Sequence, residues 1–108
     1  QVDANWTVTG NLDSPSPSAG TSTSFKPVTA PTSGTIKADS TGITGGETDT
    51  ITVTAAALSY IVIEDAPNGA GNPIGALSLT TDSSITCYAI GYDAHDNYWG
   101  NVSVSWTV

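Results

Sequence analysis

An all-β sandwich is the fold class this sequence predicts, and three observations predict it. The first is a repeated strand: residues 1–8 read QVDANWTV and residues 101–108 read NVSVSWTV. The copies share Val2/Val102, Trp6/Trp106, Thr7/Thr107 and Val8/Val108, and Gln1/Asn101 and Ala4/Val104 are similar. Apolar residues fall at every second position, Val2, Ala4, Trp6, Val8 and Val102, Val104, Trp106, Val108. That period of two marks a half-buried strand. The second observation is punctuation, with Gly, Pro, Asn and Ser clusters breaking the chain at short intervals. The third is that no stretch carries an apolar face of helical period.

The elements follow in order. Gly10 to Gly20 is a loop, because Pro15 and Pro17 lack backbone donors and its serines favour local turns. Thr21 to Lys26 is a short strand anchored by Phe25, and Pro27 to Gly34 turns the chain. Thr35 to Asp39 is a strand with Ile36 and Ala38 on one face, followed by a Gly-rich loop, Ser40 to Gly46. Glu47 to Thr54 alternates through Ile51 and Val53. Leu58 to Glu64 is nearly continuous in apolar residues, the pattern of a strand covered on both sides. Asp65 to Gly75 is a loop, with Asn68-Gly69 and Asn72-Pro73 as turn signals. Ala76 to Thr80 points Leu77 and Leu79 inward, and Ser84 to Tyr92 is the longest strand. Asp93 to Asn97 is a turn, from which Tyr98, Trp99 and Gly100 lead into the closing strand.

Composition bounds the function classes. A chain of 108 residues allows one domain with a modest core. Ten acids against two lysines give a net charge of −8, which argues against nucleic acid and anionic membranes as partners. About 30 positions are Thr or Ser, a strand-compatible and hydrated composition. No apolar run approaches the roughly 20 residues of a membrane helix, so direct membrane insertion is not expected. The single cysteine, Cys87, excludes an internal disulfide and reads as a small buried side chain. The chain contains no Met, as expected of a processed or excised N-terminus. A secreted or cell-surface β protein is the expectation.

The stretch Ala89 to Val108, AIGYDAHDNYWGNVSVSWTV, resembles the bacterial immunoglobulin-like domains of tandem-repeat surface proteins and adhesins. Their pattern is a strand, an Asp-x-x-Gly-Asn type turn and an alternating Val-x-Val-x-(Trp/Phe)-x-Val strand. Asp93, Asn97, Gly100, Val102, Val104, Trp106 and Val108 match it, whereas Asp96 stands where the family commonly has Gly. The resemblance implies an immunoglobulin-like β-sandwich with a structural or adhesive role. It also implies an order, since a segment like LSYIVIE begins such a domain and one like DTITVT ends it. Here residues 1–54 correspond to the back half of a domain and residues 58–108 to the front half. The alternative is that residues 1–108 form one single domain.

That order leaves three readings open. The duplicated strand mediates head-to-tail polymerisation of short subunits, adding to an open sheet edge in a neighbour. Or the chain is a window from a longer tandem protein, and its partners are adjacent immunoglobulin-like repeats. Or the two segments are distinct strands of one domain. Under the first two readings Val2, Ala4, Trp6, Val8, Val102, Val104, Trp106 and Val108 form the interface between units. A head-to-tail contact does not close on itself, so it builds a filament.

Little in the sequence points to catalysis. His95 is the one histidine, and it lies in a polar turn. No Gly-x-Ser-x-Gly elbow is present, and the adjacent Glu64 and Asp65 would face opposite ways on a strand. Calcium is the one cofactor considered: Asp93, Asp96 and Asn97 offer hard oxygens within one turn, and Glu64, Asp65, Asn68 and Asn72 offer more in a loop. The simpler reading is that they shape the turn. Tyr88, Tyr92, Tyr98 and Trp99 cluster and could stack on a sugar, so a carbohydrate-binding or spacer module is the alternative function. The plainer reading set against it is that Trp6 and Trp106 fill the core and the tyrosines cover one sheet or an intersubunit contact. Asn5 and Asn101 head Asn-x-Ser/Thr sequons, one at each copy of the repeated strand.

Overall fold

The computed structural model describes residues 3–108. Strands and turns account for all its regular structure, with several antiparallel sheets compatible with a β-sandwich. Among the described residues no helix is long and apolar enough to cross a membrane. The chain divides into two compact units, Gln1–Thr54 and Ala55–Val108.

In the first unit β1 (Ala4–Val8), β2 (Ala19–Gly20), β4 (Ile36–Ser40) and β5 (Ile43–Glu47) form a four-stranded sheet in the order β2-β1-β4-β5. A second sheet pairs β3 (Thr32–Gly34) with β6 (Ile51–Val53). The strands β3 and β4 are successive parts of one extended run that leaves one sheet for the other at Thr35. At this corner two backbones cross: a Cβ on Gly34 would sit 2.1 Å from the Thr9 carbonyl oxygen, and one on Gly10 2.1 Å from that of Ser33. Only glycine allows the approach. Thr9 N–H donates to Thr35 O (2.9 Å), Thr35 N–H donates to Thr9 Oγ1 (2.9 Å), and Ser33 N–H donates to Asn11 Oδ1 (2.9 Å). The buried Leu12 and Pro15 follow directly. Asp13 then gathers the N–H groups of Val28 and Thr29 and the Thr29 hydroxyl. Those bonds, the Val28 N–H foremost, hold its carboxyl below the usual range.

In the second unit β7 (Tyr60–Glu64), β8 (Tyr88–Tyr92) and β9 (Tyr98–Asn101) form an antiparallel sheet with β8 central. The register sets Ile61 opposite Gly91 and Ile63 opposite Ala89 on one face, and Val62 opposite Ile90 on the other. Ile90 is fully buried, and Glu64 and Asp93 are nearly so. A bulge between Gly91 and Tyr92 sets Trp99 over Gly91, where a Cβ would meet Leu58, Val102 and Trp99 at 2.5, 2.9 and 3.2 Å. The loop after β7 is tied by a reciprocal pair. Asn68 N–H donates to Asn101 Oδ1 (2.9 Å), and Asn101 Nδ2 donates to Asn68 Oδ1 (2.8 Å).

Several elements differ from expectation. Ser40 to Gly46 is not a loop: it turns at Thr41-Gly42 and forms β5, since pairing with β4 outweighs the low strand preference of Gly45 and Gly46. Thr21 to Lys26 makes only an isolated bridge, Ser24 to Ser16. Ala76 to Thr80 forms no strand, and Leu77 and Leu79 are more than half exposed. The strand predicted over Ser84 to Tyr92 is regular only from Tyr88. β7 is not covered on both sides, because Ile61 and Ile63 are 45% and 47% exposed.

Candidate functional site

The two copies of the repeated strand have different fates. The first is β1, which pairs with β4 through Asn5–Asp39, Trp6–Ala38, Thr7–Lys37 and Val8–Ile36. On its other side it meets β2 through Ala4–Gly20 and Asn5–Ala19, and Trp6 N–H donates to Ser18 O (2.8 Å). Alternation sends Ala4, Trp6 and Val8 to one half-buried face and Asn5 and Thr7 to solvent. The Trp6 indole Nε1 donates to Gly20 O at 3.1 Å, which fixes the ring against β2. β1 thus occupies a slot with hydrogen-bonding partners on both sides. Val2 lies outside the described residues.

The second copy has no such slot. Of Asn101–Val108 only Asn101 belongs to a strand, and Val102 N–H donates to Ala89 O (2.9 Å). Beyond it the segment joins no ladder among the described residues, although its alternation matches that of β1. Val102 and Val104 are half-buried, while Trp106 is 54% exposed and Val108 is exposed. Trp106 therefore does not fill the core, because this segment has no neighbouring strand to carry its ring inward. Val104 to Thr107 line an apolar cavity of about 250 Å³ together with Ile61, Ile63 and Ala89. The structure does not bring the two copies together within one unit.

The Asp93 turn is built by hydrogen bonds rather than by open oxygens. Asp93 Oδ1 accepts the N–H groups of His95 and Asn97 (2.9 Å each). Oδ2 accepts Ala56 N–H (3.0 Å) and Asn97 Nδ2 (3.1 Å). Desolvation pushes the carboxyl pKa up, but the donors from Asn97, Ala56 and His95 outweigh it and hold it at about 2. Asp96, at φ 66°, accepts the Tyr60 hydroxyl at 2.6 Å. Among the described residues no group of three or more His, Cys, Asp or Glu side chains converges. The calcium candidates Asp93, Asp96 and Asn97 therefore have their side chains engaged with protein donors and with one another.

The aromatic cluster forms a ladder. Tyr60 stacks on Tyr92 with ring centroids 5.5 Å apart, and Tyr98 meets Tyr92 edge-on at 6.5 Å. The Tyr92 hydroxyl donates to Glu64 Oε2; this bond first, then burial and the carboxylate charge, raises its pKa to about 12. Glu64 Oε1 has no hydrogen-bond partner among the described residues. The bond to Asp96 likewise raises the Tyr60 pKa. With the Tyr60 and Tyr92 hydroxyls engaged internally, the ladder braces β7, β8 and the Asp93 turn. Tyr60 and Glu64 were missing from the sequence-derived cluster, since only the β7–β8 register brings them to Tyr92. Of the two sequon asparagines, Asn5 faces solvent on β1, and Asn101 Nδ2 is held by Asn68.

No family model matches the chain, and neither the curated proteins nor the solved structures provide a match.

Proposed function

We propose that this chain is a non-catalytic, immunoglobulin-like building block of an extracellular filament or cell-surface repeat protein, joined head to tail by β-strand complementation. The observation that carries the reading is the contrast between the two strand copies. One sequence pattern is held by partners on both sides as β1, and its repeat runs unladdered past β9. A segment written for a sheet and lacking a sheet is completed by a neighbour. The exposed apolar residues of the second unit, among them Ile61, Ile63, Leu77 and Leu79, support the same view. A neighbouring unit would take such apolar side chains out of water. The acidic, Thr- and Ser-rich composition suits a hydrated exterior surface.

A fusion tests the reading. In it Val108 runs directly into Thr9 of a second copy, so that residues 101–108 stand in the place of the second copy's β1. Joining the second unit of one copy to the first unit of the next should raise the urea midpoint above that of the single chain and sharpen the transition. An unchanged midpoint and slope would refute it.

A further inference from the structure

The slot that holds β1 has a second claimant, and the contacts around it say how that claimant would fit. We infer that β1 is the chain's own plug in an acceptor slot between β2 and β4, exchanged on assembly for residues Asn101–Val108 of another copy. The inference rests on the strand-complementation reading above and adds the donor, the acceptor, the register and a control on assembly.

The register follows from the alignment. Trp106 takes the place of Trp6 opposite Ala38, with its indole N–H on Gly20 O; Val108 takes that of Val8 opposite Ile36, and Thr107 that of Thr7 opposite Lys37. Ser105 replaces Asn5 on the exposed face, opposite Asp39. The one apolar change in the described part of the strand is Val104 for Ala4, and Ala4 lies opposite Gly20. Gly20 leaves room there, since a Cβ built on it would have its nearest neighbour, Ser22 O, 3.8 Å away. Valine is also the better strand former. Two more buried carbons favour the donor over the plug by about 10-fold at equal concentration.

The plug has the advantage of being tethered. A strand joined by a short link competes at an effective concentration on the order of millimolar. At micromolar chain concentrations β1 therefore keeps its slot, and the chain stays monomeric. Weakening β1 alone tips the balance toward exchange.

The test uses the full chain. Trp6→Ala removes the indole bond and the half-buried ring from the plug while leaving the donor intact. Exchange should then strengthen on the order of 100-fold, and light scattering should detect oligomers at micromolar concentration. The double variant Trp6→Ala/Trp106→Ala, with plug and donor both weakened, should return to monomer. To fix the register, Asp39→Cys and Ser105→Cys are added to the Trp6→Ala chain in a Cys87→Ser background. Mild oxidation should give a ladder of disulfide-linked chains, and Asp39→Cys paired with Val104→Cys should not. Should Trp6→Ala unfold the first unit, a synthetic peptide of residues 101–108 should refold it, and the Trp106→Ala peptide should fail. A monomeric, folded Trp6→Ala chain, or an unfolded one that the peptide does not rescue, overturns the exchange. If the fusion is stabilised and exchange fails, strand complementation between linked repeats stands and the plug falls.

Discussion

Ile90 is the side chain on which the second unit most depends, and truncating it gives a quantitative test of how small that unit's core is. It is fully buried at the centre of β8, opposite Val62, whereas Leu12 and Ala89, the other buried hydrophobic side chains among the described residues, keep 7% and 6% of their surface exposed. Ile90→Ala removes three carbons from a site with little freedom to collapse, which costs about 2–5 kcal/mol. At roughly 0.05–0.15 kcal/mol per residue, a unit the size of Ala55–Val108 has about 3–8 kcal/mol to lose. The substitution should therefore bring this unit close to unfolding at 25 °C. Ile90→Val, costing about 0.5–1.5 kcal/mol, should keep it folded and lower its urea midpoint by about 1 M. Amide hydrogen exchange at Ala89–Gly91 reads both effects. Protection in Ile90→Ala within about 0.5 kcal/mol of the parent would refute the packing argument.

Three further outcomes follow from the geometry. Gly34→Ala places a methyl against the Thr9 carbonyl, backbone that cannot rotate away, and should destabilise the first unit by at least about 1–3 kcal/mol in urea melts. The carboxyl of Asp93 is depressed to about 2 in the folded chain, so its contribution is complete above the ordinary value of 3.8 and is lost as pH falls toward 2. Asp93→Asn should flatten acid unfolding of the second unit in that window while lowering its neutral-pH melting temperature, because the amide turns a donor toward Ala56 and Asn97. Tyr92, raised to about 12, contributes stability that is present below pH 10 and lost as pH climbs through 12. Tyr92→Phe should remove the phenol titrating near 12 from the alkaline absorbance curve and leave the Glu64 carboxylate without its donor.

What could be read from the sequence was whatever depends on neighbours a few residues away. The alternation of Asn5-Trp6-Thr7-Val8 and the apolar run Tyr60 to Glu64 each yield a strand near the expected place. Glu47 to Thr54 alternates as well, but it is not one strand: Glu47 ends β5 opposite Lys37, and Ile51–Val53 pairs with β3. Leu77 and Leu79 alternate too, yet pattern without a partner makes no ladder. The reverse holds for Ile43 to Gly46, which reads as a glycine loop and becomes most of β5 because the Thr41-Gly42 turn folds it onto β4. At the site, Asp93 was visible as a turn residue. Its bond to Ala56, 37 positions away, was not, and neither was the diagonal reach of Tyr92 to Glu64. Both depend on sheet register, which emerges only when strands meet.

The repeated strand shows the same dependence inside one molecule. Trp6 and Trp106 stand in nearly identical local sequence, and local preference alone would give them one structure. Trp6 is half-buried with its indole on Gly20, and Trp106 is mostly exposed. The difference therefore comes from outside the segment: β1 has Ser18–Gly20 on one side and Ile36–Asp39 on the other, and Val104–Val108 has neither. A strand's stability resides in its neighbours' donors and acceptors as much as in its own side chains. A second set of those neighbours exists wherever another copy offers its first unit, and there the alternation of Val104, Trp106 and Val108 would have a sheet to join.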